Sequence, residues 1–228
     1  MGLTDDLRSE VVSIFKDRWT ERDGNVVPSD DSVKLANDAV NIDAVVLYAD
    51  MADSTDLVNR YQSWFAAEMY KAFLRCAAKI IASEGGAITA YDGDRVMGVY
   101  TEGAKNTAAV RSALKINYAR QQIIIPALRT SYPQNTYTPR HVVGIDASKL
   151  FVARTGIRGS NDLVWVGRAA NYAAKLATMA HDYQTYITQS VYSAMLDEVK
   201  FTNGQAMWEQ LMWNGLSIYK SNWRWGSA

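Results

Sequence analysis

The most informative segment of this chain for its architecture is Val46-Leu47-Tyr48-Ala49-Asp50-Met51-Ala52-Asp53-Ser54-Thr55. Its first part belongs to an apolar run over residues 44–49, which has the length of a buried strand. The polar residues that follow Asp50 can cap a helix, so the pattern predicts a strand that leads directly into a helix. A carboxylate at the end of a buried strand is costly unless a cation or several hydrogen bonds compensate it. Asp50 is therefore a candidate ligand-binding residue.

A second acid, Asp94, lies in the turn Tyr91-Asp92-Gly93-Asp94 between two further segments, at 87–90 and 95–100. This pattern predicts a β-hairpin. Two carboxylates on neighbouring strands can bind Mg²⁺ or Mn²⁺, which favour a few acidic ligands together with phosphate oxygens. Each motif alone also fits a simpler role, because a strand-end Asp is often a helix cap and Asp-Gly is a common hairpin turn.

The remaining pattern predicts an α+β domain. Apolar residues recur every three or four positions from Leu57 to Ile80, which is typical of a long amphipathic helix, and Gly85-Gly86 end it. Later elements are predicted as a helix over 104–125 that stops near Pro126, strands at 140–146, 149–154 and 163–166, a helix over 168–180, and strands at 186–188 and 216–219. The order strand-helix-strand-strand-helix-strand predicts a ferredoxin-like βαββαβ core.

The first forty residues differ from this core. Apolar residues at helical spacing predict an amphipathic helix from Asp5 to Trp19. The polar stretch Thr20–Ser32, which contains a glycine and a proline, predicts a linker. We therefore divide the chain into an N-terminal helix and linker, residues 1–40, and one larger domain, residues 41–228.

Composition limits the classes of function. The chain has 228 residues, of which 48% are hydrophobic and 21% charged, as in an ordinary globular protein. Basic and acidic residues number 24 each, so no excess charge favours a nucleic-acid or membrane-surface partner. The N-terminus lacks the apolar segment of a signal peptide, no apolar run is long enough to span a bilayer, and the single Cys76 cannot form an internal disulfide. We expect a cytoplasmic protein with no nucleic-acid and no membrane partner.

The acids and the polar turn together predict a nucleotide site. Backbone N–H groups of Ala52, Asp53, Ser54 and Thr55 lie at the predicted start of a helix, where free donors and the helix dipole favour a phosphate group. Two acids for divalent cations beside such donors match the requirements of a nucleoside triphosphate.

Four segments, in this order, resemble the class III nucleotidyl cyclases, the family of adenylate and guanylate cyclases; the resemblance extends from residue 42 to residue 223. Residues 46–55 resemble the first metal strand and phosphate turn of that family, and residues 93–100 resemble its second metal hairpin. Val143-Gly144-Ile145-Asp146 is similar to its Gly-Ile-His strand, with Asp146 in place of the histidine. Residues 167–176 resemble its Asn-x-x-x-Arg helix, with Asn171 at the asparagine position and Lys175 at the arginine position.

The resemblance implies a cyclisation in which the ribose 3′-hydroxyl attacks the α-phosphate and pyrophosphate leaves. It implies two ions, Mn²⁺ or Mg²⁺, held by Asp50, Asp94 and the backbone carbonyl of Met51. It assigns Asn171 to the ribose and Lys175 to the transition-state charge, although lysine lacks the bidentate fork of arginine. Because the family shares its sites across a dimer interface and this chain carries both halves, we expect a symmetric homodimer with two equivalent sites and an inactive monomer.

The positions that read the base depart from the purine-specific members of the family. Ala90 stands where adenylate cyclases usually have lysine, and Val164 stands where they have aspartate or threonine. Neither side chain can hydrogen-bond a purine edge, which argues against ordinary ATP or GTP selection. Tyr48 either narrows the substrate pocket or is a core aromatic residue.

A cyclase domain without purine-reading residues is similar to the pyrimidine cyclases of the Pycsar anti-phage systems, which make cyclic UMP or cyclic CMP to activate a separate effector. On this resemblance UTP is the favoured substrate, and CTP, ATP and GTP are the alternatives. A further alternative, of another class, is a degenerate domain that binds a nucleotide without catalysis. Ala90, Val164 and Lys175 favour degeneracy, whereas the retention of two converging acids opposes it.

Overall fold

The computed structural model describes residues 2–226. The helices are α1 (Leu3–Lys16), α2 (Ser54–Arg60), α3 (Ser63–Ser83), α4 (Lys105–Ala119), α5 (Ile125–Ser131), α6 (Arg168–Leu176) and α7 (Gln189–Ala194). The strands are β1 (Thr20–Asp23), β2 (Asp38–Ala52), β3 (Ala87–Asp92), β4 (Arg95–Tyr100), β5 (Arg140–Ile157), β6 (Ser160–Val166), β7 (Thr185–Thr188), β8 (Phe201–Thr202), β9 (Gln205–Ala206), β10 (Glu209–Trp213) and β11 (Leu216–Ser221).

The centre of the fold is β2, which pairs antiparallel with β4 on one side and with β5 on the other. Strand β3 forms a hairpin with β4, which gives the order β5-β2-β4-β3. Helices α2 and α3 connect β2 to β3, and α4 and α5 connect β4 to β5. This is the predicted ferredoxin-like βαββαβ core, so the α+β prediction is confirmed. Strands β7, β11 and β10 extend the sheet beyond β5, β6 also pairs with β5, and β1 pairs with β2.

The two faces of the sheet carry separate cores, because side chains alternate along β2. Leu47 packs in the cluster that α3 and α4 complete, whereas Val46 and Tyr48 pack in the cluster that includes α6. Gly144 lies beneath α6, where an added Cβ would sit 2.2 Å from the carbonyl oxygen of Ala173. The missing side chain is therefore what lets the backbone of α6 approach the sheet so closely.

Several predicted boundaries were wrong. The long helix after β2 is interrupted, since α2 ends at Arg60 and α3 begins at Ser63. The next helix does not stop near Pro126: a π-helical turn over residues 120–124 leads into α5, with the proline in the first turn, where its missing N–H breaks no hydrogen bond. Residues 140–146 and 149–154, predicted as two adjacent strands, form one strand of 18 residues, and the helix predicted over 168–180 ends at Leu176.

The N-terminal segment contains the predicted helix as α1, none of whose residues is buried. The residues that follow are more than a linker, because β1 pairs in parallel with residues 38–41 of β2 and adds an edge strand. The sheet therefore includes residues before position 41. Within residues 2–226, no helix combines the length and the apolar character that crossing a membrane requires.

Candidate active site

Asp50 and Asp94 lie at the same end of the central strands. In the register of the sheet, Asp50 on β2 lies opposite Arg95 on β4. The backbone N–H of Met51 donates to the carbonyl oxygen of Asp94 at 3.4 Å. Burial, and then the charge of Asp94, raise the pKa of Asp50 to about 6, although Arg95 opposes this shift. The Oδ2 atom of Asp94 is buried and has no hydrogen-bond partner among residues 2–226. The fold therefore holds two adjacent acids with too little positive charge to balance them.

A divalent cation fits this arrangement. The predicted donors are two carboxylates and the backbone carbonyl of Met51, an all-oxygen set that suits Mg²⁺ or Mn²⁺. Among residues 2–226, no group of three or more His, Cys, Asp and Glu side chains forms a metal site. A cation bound by Asp50 and Asp94 would therefore need water or substrate oxygens to complete its coordination.

The turn after β2 places Asp53 in the left-handed region of backbone space, with φ of 60°. Its carboxylate does not cap α2, which has no side-chain hydrogen bond at its start. Instead, Asp53 Oδ2 lies 3.6 Å from Arg140 Nη1 and 3.7 Å from His181 Nε2. Arg140 reaches this turn because it begins β5 directly opposite Ala52. A cavity of 250 Å³ lies between the turn, Asp50 and His181.

Sequence reasoning did not identify Arg140 and His181 as residues of this region. They are 41 positions apart, and only the pairing of β5 with β2 and the path of the loop after α6 bring both to the turn. The one available signal was a basic residue at the start of a predicted strand, which is too common to indicate a site.

Tyr48 and Ala90 lie in one row on the face of the sheet that Asp50 shares. Tyr48 pairs with Met97 across β2 and β4, and Met97 pairs in turn with Ala90 on β3. The guanidinium of Arg95 lies 5.7 Å from the centroid of the Tyr48 ring. The structure therefore places a ring, a thioether and a methyl group next to the acid pair, with no polar side chain at position 90 to read a base.

Val164 lies elsewhere in the chain. It is on β6, and β4, β2 and β5 separate this strand from β3 in the hydrogen-bonded order. Its neighbours Leu163 and Trp165 pack against the α6-side core, whereas Val164 points to the other face and is 39% exposed. Pairing within one chain does not make Ala90 and Val164 neighbours.

Helix α6 presents Asn171 and Lys175 to solvent. The small residues Ala169, Ala170 and Ala173 are buried on the opposite side of the helix, against the sheet. Asn171 and Lys175, one turn apart, are both exposed, and neither lines the cavity beside the acid pair. One chain therefore does not bring Asn171 and Lys175 together with Asp50 and Asp94.

The start of α6 is fixed by Asp146, whose importance for the site the sequence did not reveal. The Asp146 carboxylate is fully buried and accepts hydrogen bonds from Arg168 Nε at 3.0 Å and Nη2 at 3.3 Å. Thr188 and Ser190 donate to the same carboxylate. The backbone N–H of Ala169, the residue after Arg168, donates to Ser148 Oγ at 2.9 Å. These contacts tie the helix that carries Asn171 to the central sheet.

Comparison of the chain with known proteins identifies its family. A protein of Xanthomonas perforans named uridylate cyclase is 52% identical over 229 residues, covering 99% of both chains. The chain belongs to the uridylate cyclase family. A uridylate cyclase of Burkholderia cepacia is 49% identical with the same coverage, and one of Rhodovulum sp. (strain MB263) is 38% identical over 98% of both chains. No family model matches the chain.

Solved structures of adenylyl and guanylyl cyclases share the fold of this chain. The adenylyl cyclase CyaB from P. aeruginosa superposes with a TM-score of 0.66 at 19% identity, over 80% of this chain and 95% of that one. The guanylate cyclase domain of RhGC from Catenaria anguillulae, solved in complex with GTP, superposes with a TM-score of 0.64 at 17% identity, over 81% and 98%. The resemblance to the class III cyclases predicted from four sequence segments is thus confirmed at the level of the fold.

Proposed function

We propose that the chain converts UTP to 3′,5′-cyclic UMP and pyrophosphate at sites shared by two copies of the chain. The observation that carries this proposal is the pair Asp50 and Asp94. These two acids are adjacent, the positive charge around them is too small to balance theirs, and the full-length relatives of the chain are named uridylate cyclase. The reaction forms a bond from the ribose 3′-oxygen to the α-phosphorus and breaks the bond from that phosphorus to the bridging oxygen, with release of the hydroxyl proton.

The acid pair is the cation-binding half of this proposed site. Asp50, Asp94 and the backbone carbonyl of Met51 would hold Mn²⁺ or Mg²⁺, two ions per site. When bound, these ions would neutralise the triphosphate and lower the pKa of the 3′-hydroxyl. The turn over residues 52–55 contributes backbone N–H donors that suit phosphate oxygens.

The other half of the site is α6. Asn171 would orient the ribose and Lys175 would balance the charge that develops on the transferred phosphate. Both side chains face solvent and stand apart from the acids of their own chain. A homodimer in which each site takes its acids from one copy and its α6 from the other would use both groups, and its twofold symmetry would generate two equal sites.

Selection of a pyrimidine would follow from the absence of purine-reading groups. Ala90 and Val164 offer no side-chain hydrogen bond to a base, and Tyr48 occupies space beside the acid pair. A smaller base would fit this site with fewer unsatisfied polar groups than adenine or guanine. In the cell, the product would act in the cytoplasm as a second messenger of anti-phage defence that activates a separate effector.

The direct test is to incubate the purified protein with Mn²⁺ and each of UTP, CTP, ATP and GTP, and to identify the products by mass spectrometry. Cyclic UMP is the expected main product. Predominant cyclic CMP, cyclic AMP or cyclic GMP would overturn the assignment to uridine, and no cyclic product at all would support the degenerate alternative.

Two variants on the same strand make a matched control for this test. Asp50→Ala should form no product because it removes a cation ligand. Asp43→Ala should retain near-native activity, because Asp43 is 67% exposed and forms its ion pair with Lys105, away from the proposed site. Circular dichroism would establish that both variants are folded.

A further inference from the structure

Arg140 lies beside the phosphate turn, and its positive charge is only loosely paired with a carboxylate. Arg140 is 54% exposed and its Nη1 lies 3.6 Å from Asp53, which is longer than a hydrogen bond. The same Nη1 donates to His181 Nε2 at 2.6 Å, since arginine cannot accept. His181 therefore fixes the direction of the guanidinium, while Asp53 balances its charge without a strong bond. A surface ion pair of this kind is weak enough to be displaced.

The backbone conformation of Asp53 also indicates that its carboxylate serves to contact Arg140. A residue other than glycine at φ of 60° is uncommon and moderately strained, although Asp and Asn tolerate this region better than most. Asp53 does not use its carboxylate for the local role that such residues often have, because it does not cap α2. The carboxylate is directed at Arg140 instead.

Positive charge around Arg140 exceeds what the neighbouring acids supply. Arg120 donates from Nη1 to the carbonyl oxygen of Pro139, the residue before Arg140, at 3.1 Å. Its Nε is buried, with no hydrogen-bond partner among the residues that the structure describes. Burial, and then the charges of Arg140 and Arg224, lower the pKa of Arg120. In the described part of the chain, Asp53 is the one carboxylate within ion-pair distance of Arg140.

The surrounding space can take an anion larger than a carboxylate. A cavity of 330 Å³ is lined by Arg140, Asp53, Arg60 and Tyr137 on one side of the turn. The cavity of 250 Å³ that reaches Asp50 lies on the other side and includes His181. Arg140 and His181 thus stand at the junction between the acid pair and open space.

We infer that Arg140, oriented by His181, binds the terminal phosphates of the substrate and the pyrophosphate product, and that the Asp53 carboxylate occupies this position in the free chain until phosphate displaces it. The inference rests on the proposed function for the identity of the phosphate compound. Asp53 would then act as an internal competitor, weakening phosphate binding and assisting release of pyrophosphate.

The test measures the binding of inorganic pyrophosphate by calorimetry in the presence of Mg²⁺. Asp53→Asn removes the competing charge and tolerates the left-handed backbone, so it should bind pyrophosphate about twofold to fivefold more tightly, the effect of losing one surface ion pair. Asp56→Asn is the matched control, because Asp56 carries the same charge in the first turn of α2 and lines the same cavity, but pairs with Arg60 at 3.2 Å. It should change the affinity much less.

A double-mutant cycle separates the specific effect from general electrostatics. Arg140→Gln should weaken pyrophosphate binding, and Asp53→Asn should give no gain in the Arg140→Gln background. Equal effects of Asp53→Asn and Asp56→Asn, or a gain that persists without Arg140, would overturn the inference. If Asp53→Asn loses stability, Asp53→Gly, which also accepts a positive φ, repeats the measurement.

Failure of this phosphate-site inference can be distinguished from failure of the proposed cyclase function. If the wild-type chain forms no cyclic nucleotide but the Asp53 and Arg140 variants behave as expected, the phosphate site stands and the cyclase proposal fails. If cyclic UMP forms while pyrophosphate binding ignores both residues, the phosphate site alone is wrong.

Discussion

Asp146 and Arg168 form a two-pronged ion pair that joins the middle of β5 to the first turn of α6. The carboxylate is fully buried, whereas the guanidinium is 47% exposed and reaches it through contacts of 3.0 and 3.3 Å. In the resemblance to class III cyclases this position holds a histidine. In this chain the pair fixes the helix that carries Asn171 and Lys175.

Asp146→Asn is expected to destabilise the protein and to reduce cyclisation. The amide keeps the size of the carboxylate but loses the ion pair, which should lower the free energy of unfolding by about 1–3 kcal/mol, since Arg168 can regain water. Product formation should fall while pyrophosphate binding is retained, because the change acts on α6 and not on the acid end of the site. Asp43→Asn is the exposed control, and an Asp146→Asn protein as stable as the wild type would contradict the assignment.

Asp50→Asn is expected to abolish activity and yet to stabilise the protein without divalent cations. The native pKa of Asp50 is raised to about 6, mainly by burial and then by Asp94, so its charged form opposes folding increasingly as pH rises from its unfolded value to 6. At pH 7.5 in EDTA, the amide should raise the free energy of unfolding by roughly 1–2 kcal/mol, less than the full shift because the group is partly exposed.

The same variant tests cation binding by thermal denaturation. Mn²⁺ should raise the melting temperature of the wild type, since a ligand that binds only the native state stabilises it. The increase should be lost in Asp50→Asn. An equal increase in both proteins would show that the ion binds elsewhere.

Mixing two inactive variants tests whether sites are shared between copies. Asp50→Ala lacks the acid half and Asn171→Ala lacks the α6 half, so a mixed dimer would contain one intact site. With random exchange of subunits, about a quarter of wild-type activity should return. A mixture of Asp50→Ala with Asp94→Ala, both in the acid half, should recover none. Absence of recovery from the first mixture, with mixed dimers demonstrated, would place each site within one chain.

His141 should make the protein sensitive to acid. Its ring is fully buried, and neither nitrogen has a hydrogen-bond partner in the described part of the chain. Burial, followed by the charge of Arg120, lowers the pKa of His141 to about 3. Between these two pKa values the unfolded chain binds a proton at His141 that the native state does not bind. The contribution of neutral His141 to the free energy of unfolding is therefore complete above pH 6.5 and is lost as pH falls toward 3, by at most about 1.4 kcal/mol per pH unit.

His141→Leu should flatten the dependence of the free energy of unfolding on pH between 6.5 and 4.5. The matched control is Phe73→Leu, which alters the neighbouring ring, 5.6 Å from His141, without removing a titratable group. An unchanged pH dependence in His141→Leu would show that other groups dominate acid unfolding in this range.

Regular local patterns predicted the order of elements well. The apolar run before Asp50 and the Asp92-Gly93 turn each depend on neighbouring residues alone, and both elements are present in the structure. Boundaries failed where distant contacts decide. Pro126 was expected to end a helix, but a π-helical turn shifts the register so that the proline lies in the first turn of α5. Residues 140–146 and 149–154 were predicted as two strands, yet the long β2 beside them keeps one strand continuous over residues 140–157.

The chemical character of this protein was readable from short segments: two acids at strand ends, a polar turn between them and an Asn-x-x-x-Lys helix are local motifs with local physical meaning. Which of these groups meet depends on contacts between segments that are distant in the chain. Pairing of β2 with β4 puts Asp50 beside Asp94 and raises its pKa, since burial and like charge act through space. Pairing of β2 with β5 carries Arg140 to Asp53 across a sequence separation that no short-range pattern spans.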